Sequence, residues 1–155
     1  MFRRLMAACP LVLVGYVLVG CALAGCALTT GAAAMDLKAV DLKAMDLNSF
    51  RASHKRPPLQ FHAGLAAAAD AHARDLAARN RLDHAGFRQR LDAVSSGAAA
   101  ENVSYGCEDE ACAIRQWSRS SGHRANMLRR DVTGYGLASA RAESGRRYWV
   151  LELGN

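Results

Sequence analysis

The strongest constraint on how this chain folds is a change of hydrophobic period along it, helical before residue 130 and strand-like after it. Leu65, Ala69, His72 and Leu76 fall at i, i+4, i+7 and i+11, one face of a helix, while Asp70, Arg74 and Arg81 point largely away. Alanine fills the rest of residues 62–80 and favours a helix by propensity as well. Shorter helices are expected at Arg88–Val94, ended by Ser95-Ser96-Gly97, and at Asp109–Ser118, with Ile114 and Trp117 on one side. Gly122–Leu128 predicts a single helical turn, and a helix begun near Asp46-Leu47-Asn48 should stop before Pro57-Pro58. Gly134–Ala140 and Tyr148–Leu153 are apolar and aromatic runs separated by the polar segment Arg141–Arg147, which predicts a β-hairpin. Helices first and strands last argue for an α+β fold over a parallel α/β sheet.

The part of the chain that must fold is shorter than its 155 residues. Arg3 and Arg4 followed by the uncharged run Leu11–Ala24 have the form of an export signal over residues 1–25, too short for a confident transmembrane span. Leu23-Ala24-Gly25-Cys26 resembles a bacterial lipobox, where small residues precede a cysteine that carries the lipid. Leu18-Val19-Gly20-Cys21 is a poorer match, and ordinary secretion with cleavage near Ala32-Ala33-Ala34 is the competing reading. Residues 26–45 are then an anchor cysteine and tether. The near-repeat Asp36-Leu37-Lys38-Ala39-Val40, Asp41-Leu42-Lys43-Ala44-Met45 has a period of five, which stacks its leucines on no helix face. That leaves residues 46–155, enough for one domain and too few for two. With aromatics at 6%, its core must be Ala, Leu and Val around a few large anchors.

Five cysteines partition along the same boundaries. Cys9 and Cys21 leave with the leader and Cys26 carries the lipid. Cys107 and Cys112 remain as an even pair, for which export makes a disulfide the default. Cys-x4-Cys without a second pair is a poor zinc pattern.

A net charge of +6, part of it from the leader, comes without long basic runs or interleaved aromatics, so a nucleic-acid partner is not expected. There is no Gly-x-Ser-x-Gly elbow, no His-Glu-x-x-His and no phosphate-binding loop.

Three motifs bring ionisable groups beside small or apolar neighbours: Leu82-Asp83-His84-Ala85-Gly86-Phe87, Ala100-Glu101-Asn102-Val103, and Trp117-Ser118-Arg119-Ser120-Ser121-Gly122-His123-Arg124-Ala125-Asn126-Met127-Leu128. In this order, preceded by Leu47-Asn48-Ser49-Phe50-Arg51 and Leu59 and followed by the Gly134–Ala138 and Tyr148–Gly154 strands, they resemble the CAP superfamily. This is the group of cysteine-rich secretory proteins, antigen 5 and pathogenesis-related proteins, also called SCP domains, and the bacterial branch is nearest. The resemblance implies a three-layer α-β-α sandwich with a mainly antiparallel central sheet. It also implies an open cleft in which His84, Glu101 and His123 occupy the family's positions. Members with four cleft groups carry a second Glu shortly after the Trp; here Ser118-Arg119-Ser120 stands there, without a carboxylate.

Two imidazoles distant in sequence and one carboxylate have the chemistry of an open divalent site, zinc foremost, with His84, His123 and Glu101 as ligands or Glu101 as base. The same trio without metal is a His–Glu pair tunable near neutral pH. Glu101 as an acceptor holding its loop, and Asn102 as a turn cap, are the bland readings; Arg124 and Asn126 are expected to brace the fold. His72 is expected in the core, and His54 and His62 at the surface. The functional expectation is an exported, membrane-anchored, monomeric envelope protein that binds a small ligand, lipid, peptide or wall fragment in this cleft. A metal-assisted hydrolase and a structural protein with a vestigial cleft are the rivals, so whether the chain is an enzyme stays open.

Overall fold

The computed structural model describes residues 45–155. The leader, both candidate lipidation cysteines and most of the tether lie outside them. Along the chain run α1 (Leu47–Ser53), β1 (Gln60–Phe61), α2 (Ala63–Arg79), α3 (Phe87–Leu91), β2 (Ala100–Tyr105), α4 (Glu110–Ser118), α5 (Ser121–Met127), β3 (Gly134–Arg141) and β4 (Arg147–Gly154). Helix starts are set by side chains that accept from orphan amides. Asp46 Oδ1 takes Ser49 N at 2.7 Å, Asp109 Oδ1 takes Cys112 N at 2.7 Å, and His62 Nδ1 takes Leu65 N at 3.2 Å. The long helix ends at Asn80, which adopts the left-handed conformation common at helix C-termini.

The sheet has the order β1-β3-β4-β2. The expected hairpin forms, β3 pairing antiparallel with β4 from Gly134↔Gly154 to Arg141↔Arg147. On the far side β4 pairs antiparallel with β2, and β1 lies parallel to β3. The sheet is therefore mixed, although its longer pairings are antiparallel. Strand alternation splits the core in two. Val103, Tyr148 and Val150 face α2 and pack on Ala69, Ala73, Leu76 and Ala77. Trp149, Leu151 and Leu153 face α1, α4 and α5, among Leu47, Phe50, Ile114, Trp117 and Met127. Helices thus cover both faces, giving the three layers. Gly136 of β3 permits the close seam on the α2 side: a Cβ there would sit 2.1 Å from the Ala66 amide nitrogen.

Several local expectations shift. The segment Ala100–Tyr105 is a buried strand, so Asn102 caps no turn. The helix expected at Arg88–Val94 ends at Leu91 and gives way to a turn in which the amides of Val94 and Ser95 share the Leu91 carbonyl. The turn expected at Gly122–Leu128 is a seven-residue helix.

The Leu-Asn-x-x-Arg stretch is a set of clamps. Asn48 makes two hydrogen bonds to the Leu59 backbone, at 3.0 and 2.9 Å. Arg51, fully buried, donates from Nε to Pro57 O at 2.9 Å and from Nη1 to Met127 O at 2.6 Å and Arg129 O at 3.0 Å. A buried guanidinium is tolerated here because carbonyl dipoles, two of them at the C-terminal end of α5, satisfy it. Burial, reinforced by nearby Arg56, lowers its pKa. Cys107 and Cys112 are joined in a disulfide ahead of and within α4, and the Cys107 carbonyl accepts from Trp149 Nε1 at 2.8 Å.

Candidate functional site

β2 is an edge strand of the sheet, and its side chains alternate across that edge. Glu101 points to the α2 face and Asn102 to the α5 face. The loop after α2 carries His84 to Glu101, and α5 carries His123 to Asn102.

On the first face, His84 Nδ1 lies 2.6 Å from Glu101 Oε1. The His84 ring is 55% exposed whereas the Glu101 carboxylate is 2% exposed, so a buried anion holds the inner nitrogen of a solvent-facing imidazole. With Glu101 ionised, Nδ1–H donates and Nε2 is the outward lone pair. A cavity of about 270 Å³ opens beside this pair, lined by Phe87, Ala99, Asn126 and Arg129.

Arg90 and Glu152 complete the anchor, and local sequence reading missed both. Arg90 reaches from α3 and donates through Nη2 to Glu101 Oε2, through Nη1 to the Ala85 carbonyl, and through Nε to Glu152 Oε1 at 3.4 Å. Glu152 is the direct cross-strand partner of Glu101, and Arg90 bonds both carboxyls. The one signal available in sequence was an acid on the inward alternation of the apolar run Tyr148–Leu153. His72, buried as expected, bonds the Asp83 carbonyl through Nε2 at 3.1 Å and stands 3.7 Å from Glu101 Oε2.

Burial pushes Glu101 up, but bonds from Glu152, His84 and Arg90 outweigh it and hold the carboxyl below the ordinary glutamate range. Burial, with Glu101 beside it, pushes Glu152 up to about 9. Burial lowers His72 despite the neighbouring Glu101. His123 is also lowered, first by burial and then by the proximity of His84.

On the second face, Asn102 Nδ2 donates to the His123 carbonyl at 3.0 Å. Asn126 Nδ2 donates to the Glu101 carbonyl at 3.2 Å and to Asn102 Oδ1 at 3.0 Å. These bonds fasten α5 to the strand, so Asn126 braces the fold as expected. Arg124 is exposed and takes no such part. The His123 side borders a cavity of about 320 Å³ lined by Leu82, Ser104, Tyr105 and Trp117. Ser104 Oγ and Trp117 Nε1 are buried there without hydrogen-bond partners. A larger cavity, about 650 Å³, lies between the end of α2 and the β3–β4 turn. It lies apart from the His–Glu cluster, and Arg74 and Arg141 at its rim are paired with Asp70 and Glu108.

The structure thus brings His84 and Glu101 into contact and places His123 across the edge of β2. Among the described residues no three His, Cys, Asp or Glu side chains converge as metal ligands. The donor set explains why a three-ligand zinc centre does not fit: both Glu101 oxygens already accept from His84 and Arg90, and a guanidinium repels a cation. In this structure Glu101 is the acceptor that orients His84.

The chain resembles three solved bacterial structures. An outer surface protein of Borrelia burgdorferi matches with a TM-score of 0.63 at 17% identity, over 70% of this chain and 86% of that one. An extracellular SCP-domain protein of Bacillus anthracis matches with a TM-score of 0.62 at 25% identity, over 70% of this chain and 37% of that one. A cysteine-rich secretory protein of Staphylococcus aureus matches with a TM-score of 0.57 at 25% identity, over 69% of this chain and 35% of that one. The chain thus spans only about a third of the Bacillus and Staphylococcus proteins. A search of curated protein sequences finds no match. The sequence profile of the cysteine-rich secretory protein family fits residues 46–153, from the Asp46 cap through the last strand, and the chain belongs to that CAP family.

Proposed function

We propose that this chain is an exported CAP-domain protein, lipid-anchored at Cys26, that binds a small envelope ligand in the cleft between His84 and His123. The observation that carries the reading is the 2.6 Å His84–Glu101 contact. It fixes the imidazole so that one nitrogen faces an open cavity with a defined donor–acceptor character. The cavity beside His123, lined by Leu82, Ser104, Tyr105, Gln116 and Trp117, suits a ligand with both apolar and hydrogen-bonding parts, such as a lipid, peptide or wall fragment. Export is supported by the outer-surface and extracellular relatives, and the anchor by Leu23-Ala24-Gly25-Cys26.

Binding is favoured over metal-assisted hydrolysis with Glu101 as base because the carboxylate is buried and occupied. One observation favours a second reading: a histidine oriented by a buried carboxylate is also a general base, so hydrolysis would run through His84. A divalent ion bound here would have His84 and His123 as its imidazole ligands.

The experiment is a titration of the domain with zinc, a short-chain lysophospholipid and a muramyl peptide, followed by NMR and calorimetry. Saturable shifts at His84 and His123 that vanish in the double variant His84→Ala/His123→Ala support the cleft. Saturation with no change at either histidine would overturn it. Intact mass of the membrane fraction should show a diacylglyceryl group on Cys26; an unmodified terminus near Met35 would remove the anchor.

A further inference from the structure

The element that fixes His84 is a pair of buried carboxyls with one guanidinium between them. Glu101 Oε1 accepts from His84 and Oε2 from Arg90. Glu152 Oε1 accepts from Arg90 Nε. Glu152 Oε2 is buried and meets no N–H or O–H donor from any other group. Its neighbour across the ladder is the Glu101 carboxylate. Two lone-pair-bearing carboxyl oxygens buried side by side repel each other unless a proton lies between them. Charge counting leads to the same state. Arg90 and Glu101 neutralise each other, the other titratable groups facing the pair are His72, itself buried 3.7 Å from Glu101, and His84 on Glu101 Oε1, and with both imidazoles neutral a second anion would have no counter-charge.

We propose that Glu152 is a neutral carboxylic acid whose proton is donated from Oε2 to Glu101, and that Glu152 and Arg90 are the positioning pair that turns Glu101 toward His84. The cleft therefore has its second carboxyl, delivered from β4 beneath the site instead of from the helix beside it. Glu152 contacts no ligand; it acts through Glu101. The consequence is a fixed His84 tautomer, hydrogen on Nδ1 and lone pair on Nε2, held by a donor set that leaves Glu101 little freedom to rotate away. Burial, which pushes the Glu152 proton affinity up, works in the same direction. The inference concerns the His84 side of the proposed cleft but not its ligand, so it survives a failure to find one.

Three variants test it, read by nitrogen-15 NMR of His84 in the ligand-free domain. Glu152→Gln keeps a neutral donor toward Glu101 and an acceptor toward Arg90. If Glu152 is neutral, His84 keeps its tautomer and its pH midpoint unchanged. If Glu152 is ionised, the variant removes a nearby anion and His84 binds its proton about tenfold more weakly, which overturns the proposal. Glu152→Leu and Arg90→Leu each remove one bond to Glu101, and His84 should then populate both tautomers. A single Nδ1–H tautomer in both variants would equally overturn the positioning role. Thermal melts separate unfolding from repositioning, and Glu152→Gln decides the protonation state even where the leucine variants do not fold.

Discussion

The two faces of the sheet solve the same burial problem with opposite materials. The α2 face is thin: alanines and Gly136 let helix and strand nearly touch, and the room left at one end holds Glu101, Glu152, Arg90 and His72. The opposite face is thick, with Trp117, Trp149, Ile114 and Met127, and Arg51 as its large buried cation. Arg51 is satisfied by main-chain carbonyls alone, whereas the charged groups of the α2 face also bond one another. A charge bonded to backbone locks elements together; charges bonded to side chains can orient a group such as His84.

If the thick face is held by volume, deleting volume should hurt most there. Trp117→Ala should lose about 3–5 kcal/mol, measured by urea unfolding, whereas truncating exposed Leu82 in the same way should change little. The thin face should fail in the opposite way, by addition. Gly136→Ala places a methyl against α2 backbone and should lose on the order of 3 kcal/mol, with α2 amides losing hydrogen-exchange protection first. Equal exchange losses across the two faces would remove the distinction. Reducing the Cys107–Cys112 bond, which closes a short ring on the thick face, should lose about 2 kcal/mol without moving the His84 resonance.

The last expected effect is the most selective. An acid pushed up to about 9 in the folded state keeps its proton while the unfolded chain has lost it. Its contribution to stability is therefore fully present below the ordinary glutamate range and is lost as pH rises toward about 9. His72 and His123, both lowered, act oppositely: their contribution is present above the ordinary histidine range and lost as pH falls below it. Glu152→Gln should remove only the alkaline limb. Stability measured from pH 5 to pH 9 should fall less steeply in the variant than in the wild type, and parallel curves would contradict a buried neutral acid.

This contrast also explains what could be read from the sequence. Helices on both faces and the hairpin announce themselves by local period, as Leu65 to Leu76, Ile114 and Trp117, or Tyr148–Leu153 do. The family motifs brought His84 and Glu101 to one place. The strand β2 was hidden because both its faces are buried and it carries Glu101, Asn102 and Ser104, so neither alternation nor an apolar run marks it. Arg90 and Glu152 were hidden for a different reason: their meaning depends on a cross-strand register and a helix approach that no short window contains. Asn102 misled in the same way, since its partner is a carbonyl of α5 and not of its own segment.

The Arg51 clamp has a mechanical reading. The chain enters the described domain at Met45, immediately ahead of α1, and Arg51 grips the carbonyls of Met127 and Arg129 at the far end of α5. Tension applied at that entry point is passed through α1 to the end of the helix that bears His123. A domain pulled from its N-terminal side would then feel the load at the end of α5, where Arg51 holds the carbonyls of Met127 and Arg129.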